Sequence, residues 1–243
     1  MRPKLLLEKI ISRDLNYGRD NIEDFFTHRI SAPRSALDIG VGDCYDLLAL
    51  KRIHPLVTLH GIDFRAEKLS AAASHGITTH KADLEIEQLP FGDEALDLII
   101  ANQVFEHLKN FFWAFHECCR TLSVGGSLVV GVPNLASLHN RILLMLGRQP
   151  TSIKTISAHV RGFTMREFAE AALGIGSGAL ELTHCCGANF YPLPRTAAKL
   201  FARLLPSLAV SSFYVFRKKA PYDATLFRSL GAHNLETLYK ELD

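Results

Sequence analysis

Short apolar runs alternate with helical-length segments along the first half of the chain. Ala36-Leu37-Asp38-Ile39-Gly40 predicts a buried strand ending in a glycine turn. Residues 46–51 predict a helix, 57–62 a strand and 66–74 a second helix. Further strands are expected over 77–81, 95–101 and 127–132. Between the last two, Val104, Leu108, Phe111, Phe115, Cys118 and Leu122 recur at three- and four-residue steps. That spacing predicts one helix whose aromatic stripe is core packing. Strands alternating with helices in this way imply a parallel sheet covered on both faces.

The flanks read differently. Leu6, Ile10 and Ile11 predict an amphipathic leading helix. After Val132 the rhythm breaks: 133–162 is irregular around one helical piece, 138–146. Thr164-Met165-Arg166-Glu167 is a capping box opening a helix through 172. Residues 180–186 and 211–216 predict two closing strands, joined through a helical run at 196–205. One domain over 1–243 is expected. It comprises a helical lead (1–34), a core (35–132) and two cover segments (133–163 and 187–210) over the open end of the sheet.

Composition narrows the function. Of 243 residues 48% are hydrophobic and 21% charged, which excludes a disordered chain. Twenty-seven basic residues face 25 acids, too even for a protein that holds nucleic acid by its phosphates. The uncharged stretch 204–216 contains Pro206 and three serines and falls short of the roughly 20 residues of a spanning helix. Three leucines near the start are too few for a secretory signal. Cysteines 44, 118, 119, 185 and 186 include two adjacent pairs and no CxxC, so reduced thiols and a cytoplasmic setting are expected.

The chemistry gathers at strand ends. Gly40 and Gly42 follow the first strand, where a sharp turn lets backbone approach a ligand at a helix start. Asp63 ends the second strand, where a carboxylate can bind ribose hydroxyls. Asp83 ends the third and Asn102 the fourth. In an open parallel sheet, ligands lie beyond the carboxyl ends of strands. A nicotinamide fingerprint would need a small residue at Tyr45, and Asp38 would repel a pyrophosphate. The residues suit a nucleoside with a cationic tail.

The motifs Leu37-Asp38-Ile39-Gly40-Val41-Gly42-Asp43-Cys44, Asp63, Asp83-Leu84, Leu89-Pro90-Phe91, 97–107 and Gly125-Gly126 fall in one order. Together they resemble the class I S-adenosylmethionine-dependent methyltransferase family over residues 35–134. The nearest subgroup is the one acting on small molecules, quinones, glycans and lipid precursors, with members associated with methionine biosynthesis. The resemblance implies a Rossmann-like three-layer α/β sandwich, with a seven-stranded, mostly parallel sheet and an antiparallel C-terminal hairpin. It implies S-adenosyl-L-methionine as cofactor. Asp38, Gly40 and Gly42 would line the methionine portion and Asp63 would bind the ribose. Phe64 would flank the adenine, Asp83 and Leu84 would meet its edge, and Asn102 or Gln103 would lie beneath the sulfonium.

Within the resemblance, His107 is the leading general base, with His159 second and Arg161 as a substrate residue in an HVR-x-F-T segment. A structural role for each, or proximity without a base, is the alternative. Two positions depart from the family pattern. Cys44 replaces its third glycine, which would narrow the pocket near the methionine tail. Gln103 replaces the first acid of the metal-associated E-x-x-E-H pattern of quinone O-methyltransferases, so no metal is expected. The covers are basic, with no acid from 134 to 160. That suits an anionic small-molecule, glycan or lipid-precursor acceptor, or weak contact with an acidic membrane surface. A non-catalytic cofactor-binding partner protein is the rival reading.

Overall fold

The computed structural model describes residues 18–225 and Phe227. Its elements are α1 (Arg19–His28), β1 (Ser35–Ile39), α2 (Tyr45–Ile53), β2 (Thr58–Ile62), α3 (Ala66–Ser74), β3 (Thr78–His80) and β4 (Leu96–Asn102). Then come α4 (Phe111–Thr121), β5 (Leu122–Pro133), α5 (Leu138–Met145), α6 (Met165–Ile175), β6 (Leu180–Ala188), α7 (Arg195–Leu204) and β7 (Ser211–Lys218). The strands form one sheet in the order β3-β2-β1-β4-β5-β7-β6. The first five are mutually parallel, and β7 runs antiparallel to both β5 and β6.

The central strands are apolar because helices cover both faces. Leu37, Ile39, Ile99, Leu128 and Val130 point into one core with Phe105, Phe111, Phe115 and Phe168 from the helical layer. Ala36, Leu98, Ile100 and Val129 point into the other, against Ile22, Phe25, Leu47 and Leu50. The period-two alternation of the strands thus divides between two cores.

Three expectations change. The helix predicted over 104–122 is split: Phe105–His107 is a single 3₁₀ turn, and the α-helix starts only at Phe111. Asn110 marks the break, because its side-chain oxygen accepts from the Trp113 N–H and caps the new helix. β5 begins at Leu122, earlier than expected, and its pairing with β4 slips between Leu96 and Leu98 to absorb Gly125 and Gly126. Thr164 caps α6 as read, its hydroxyl accepting from the Glu167 N–H and donating to the Glu167 carboxylate, though α6 runs on to Ile175. Helix α1 had no clear signal, since its apolar positions Ile22, Phe25 and Phe26 sit among seven polar residues. The amphipathic helix expected near Leu6 to Ile11 lies outside the described residues.

Candidate functional site

Five strand-end features meet at the carboxyl edge of the parallel strands. After β1 the chain turns through Gly40 (φ +77°) and Gly42 (φ +49°). The N–H groups of Gly40 and Val41 both donate to the Ile62 carbonyl, which ties this turn to the end of β2. A Cβ on Gly40 would stand 2.7 Å from Val104, whereas one on Gly42 would meet nothing nearer than 3.7 Å. The first glycine is needed for packing, and the second leaves space. Cys44 also lies in the left-handed region, at φ +62°. Its side chain is buried in the core with Val41 and Leu47.

Acids surround this turn. Asp38, buried at the end of β1, is held well above the usual carboxylate range, first by burial and then by the Asp46 and Asp63 carboxylates. Asp46, in the first turn of α2, is raised by burial, while an Asn102 hydrogen bond of 3.0 Å works the other way. Asp63 is buried, which alone would raise it. Hydrogen bonds from Arg65 and from the Gly42 N–H outweigh that and hold it below its usual value. Arg65 grips Asp63 through its backbone N–H, Nε and Nη2, at 3.0, 3.0 and 3.1 Å. Three carboxylates in so small a space favour a cation between them.

The other expected residues line the same edge. Phe64 stands 72% exposed beside the turn. Asp83 follows β3, exposed, and its carboxylate accepts from the Glu85 N–H. Leu84 is half-buried against the core. At the end of β4, Gln103 takes φ +58°. Asn102 Oδ1 and Gln103 Nε2 are buried with no hydrogen-bond partner in the protein. Buried polar atoms are normally satisfied, so these two are exceptions on this edge.

A second cluster lies just beyond. His107 sits in the 3₁₀ turn, not at a helix start as expected. Its Nδ1 donates to the Ala158 carbonyl at 3.1 Å, and burial holds its pKa below the usual value. His159 Nδ1 donates to the Ser152 carbonyl at 2.8 Å. A carbonyl only accepts, so both rings carry a proton on Nδ1, and Nε2 is the ring nitrogen left for another partner. The rings meet edge to face, 4.7 Å apart. Between turn and cover, the N–H groups of Val160 and Arg161 donate to the Glu106 carbonyl. Arg161 donates to the carbonyls of Leu108 and Lys109 and lies over the Phe112 ring. Its guanidinium therefore fastens the cover to the turn.

Residues 37–130 match the model of the methyltransferase domain family. Malonyl-[acyl-carrier protein] O-methyltransferase 1 of Coxiella burnetii is 29% identical over 143 residues, 58% of this chain and 45% of that protein. A solved S-adenosylmethionine-dependent methyltransferase from Mesorhizobium loti superposes with a TM-score of 0.58 at 16% identity, covering 84% of this chain and 99% of that one. The N-methyltransferase NodS from Bradyrhizobium japonicum, solved with S-adenosyl-L-homocysteine, gives 0.55 at 16% identity, covering 85% and 90%. The matched segment, residues 37–130, is a methyltransferase domain, and the fold around it is that of class I S-adenosylmethionine-dependent methyltransferases. It spans half or less of the length of the curated relatives it matches.

Within the methyltransferase fold, the motif sequence foretold the strand-end residues but missed three others. Asp46 had a signal, an acid in the first turn of the helix that follows the glycines. Arg65 had only its nearness to Asp63. Glu106 was visible, but its burial was not. The basic covers are also less free than their composition suggests, because Arg195 and Lys199 both pair with Asp20, at 2.9 and 2.7 Å. Among the described residues no helix is long and apolar enough to cross a membrane.

Proposed function

We propose that this single domain moves a methyl group from S-adenosyl-L-methionine to a small anionic acceptor. The supporting observation is the ring of strand-end groups around Gly42, where open space, three carboxylates and two orphaned amide atoms coincide. Asp38, beside Gly40 and Gly42, faces the cationic amino-acid portion of the cofactor, and Asp63 takes the ribose hydroxyls in competition with Arg65. Phe64 covers the adenine face, while Asp83 and Leu84 meet its edge. Asn102 and Gln103 lie below the sulfonium. The cofactor when bound supplies an electrophilic methyl, so the protein's main task is to align the acceptor in line with it. His107, and after it His159, present an Nε2 lone pair for the acceptor's proton.

The acceptor class, a small molecule, glycan or lipid precursor, follows from the basic cover and the family subgroup. The relatives named for malonyl-[acyl-carrier protein] make a carried acid the first to try. Calorimetry should show cofactor binding by the wild type and at least tenfold weaker binding by Asp63→Ala, since a charge-assisted hydrogen bond is worth about 1.5–3 kcal/mol. Labelled cofactor incubated with malonyl-acyl carrier protein and other carboxylates then reports transfer. Unchanged affinity in Asp63→Ala removes that residue from the site. Binding without transfer to any acceptor favours a non-catalytic role.

A further inference from the structure

Glu106 is 1% exposed, and neither of its carboxylate oxygens has a hydrogen-bond partner. Burial pushes this carboxyl up to about 8, so the group stays neutral unless a cation comes within reach to replace its proton. Its neighbours are unusually prepared to share one. His107 and His159 each spend Nδ1 on a backbone carbonyl, the arrangement that turns the other ring nitrogen outward as a ligand. One ring nitrogen of each histidine and a Glu106 oxygen lie within 4.8 Å of one another. His107 Nε2 stands 3.9 Å from Glu106 Oε1, too far for a hydrogen bond, so the carboxylate is not there to orient that ring. The other charged group near His107 is Arg65, which Asp63 neutralises.

We propose that Glu106, His107 and His159 bind one divalent transition-metal ion. Two imidazoles and a carboxylate suit zinc or cobalt, whereas magnesium and calcium prefer all-oxygen sites. The expectation of no metal considered residues 103–107 alone, where Gln103 leaves two donors. Folding supplies the third from the cover loop, through the Val160 and Arg161 bonds to the Glu106 carbonyl. Three protein ligands leave a coordination position open for an oxygen donor. If the methyltransferase reading holds, that position takes an oxygen of the acceptor, and with the free ring nitrogens turned to the ion the proton of a hydroxyl acceptor would leave the metal-bound oxygen for water rather than for a histidine. The metal site itself does not depend on that reading.

The test is metal binding by the full chain after chelator treatment. Titrated with cobalt, the wild type should take up one equivalent, with visible absorption bands and a raised Tm, and zinc should displace it. His159→Ala, in the cover loop, and Glu106→Gln should each weaken cobalt at least tenfold, with unchanged circular dichroism confirming that they fold. The proposal is overturned if cobalt does not bind at micromolar concentration. It is also overturned if folded His159→Ala binds as tightly as wild type, which would place the metal elsewhere. Cofactor calorimetry on the metal-free protein separates the two readings. Cobalt uptake without cofactor binding leaves the metal site and sinks the proposed function; cofactor binding without cobalt uptake does the reverse.

Discussion

Two glycines two residues apart should respond to the same substitution in opposite ways. Gly40→Ala puts a methyl 2.7 Å from Val104 Cγ2, inside contact distance, on a backbone at φ +77°. Holding an alanine in the left-handed region costs about 1–2 kcal/mol, and overpacking adds about 1–3 kcal/mol. The loss of folding stability should therefore be about 2–5 kcal/mol. Gly42→Ala meets nothing closer than 3.7 Å, so only the backbone term applies, about 1–2 kcal/mol. The space beside Gly42 is where the proposed cofactor lies, so the milder substitution for folding should still cost at least tenfold in cofactor affinity, about 1.4 kcal/mol. Urea denaturation gives the stabilities, and calorimetry with S-adenosylmethionine gives the affinity. Equal stability losses for the two variants would refute the packing argument. A Gly42→Ala protein with wild-type affinity would refute the placement of the ligand.

Glu117 is 1% exposed and accepts from Arg120 at 2.7 and 2.8 Å and from the Leu89 N–H at 2.7 Å. Glu117→Ala strands Arg120 Nε and the Leu89 N–H and leaves Arg120 Nη2 only its 3.3 Å bond to the Leu89 carbonyl, and it should cost about 3–5 kcal/mol by thermal or urea unfolding; a loss below about 1 kcal/mol would mean the cluster relaxes into water. His60 and His80 pack together against Phe91 and are held below the usual histidine range by burial. They bind protons more readily unfolded than folded, so their contribution is full above about pH 6.5 and is lost as pH falls toward their folded values. Replacing His80 with Phe should flatten the fall in stability on the acid side of that value, and an unchanged slope would count against it.

Local pattern revealed the parallel strands because each is short, apolar on both faces and followed by its own turn, as at Ile39-Gly40 and Ile62-Asp63. It failed where tertiary partners decide. Val104 and Leu108 keep helical spacing with Phe111, yet Asn110 diverts its side chain to cap a new helix and the preceding turn tightens to 3₁₀. Helix α1 shows little apolar surface in sequence and is held by burial of Ile22, Phe25 and Phe26. The meeting of Glu106 with His159 was not legible at all. It rests on backbone hydrogen bonds between segments about 50 residues apart, and no periodicity encodes such a pairing.

The position of β7 bears on how the molecule is made. Among the described residues it is the last strand in sequence, yet it lies inside the sheet, between β5 and β6. During synthesis the parallel platform of β1 to β5 emerges first, and β6 after it has nothing in the sheet to pair with until residues 211–218 leave the ribosome. Until then the outer edge of β5 presents unpaired N–H and C=O groups along Val129, Val130 and Gly131, a template for pairing with another chain. Completion is one late, long-range event, the kind of closure that slows folding and exposes intermediates to aggregation. A nascent chain stalled just short of β7 is thus a nearly whole domain with an adhesive side.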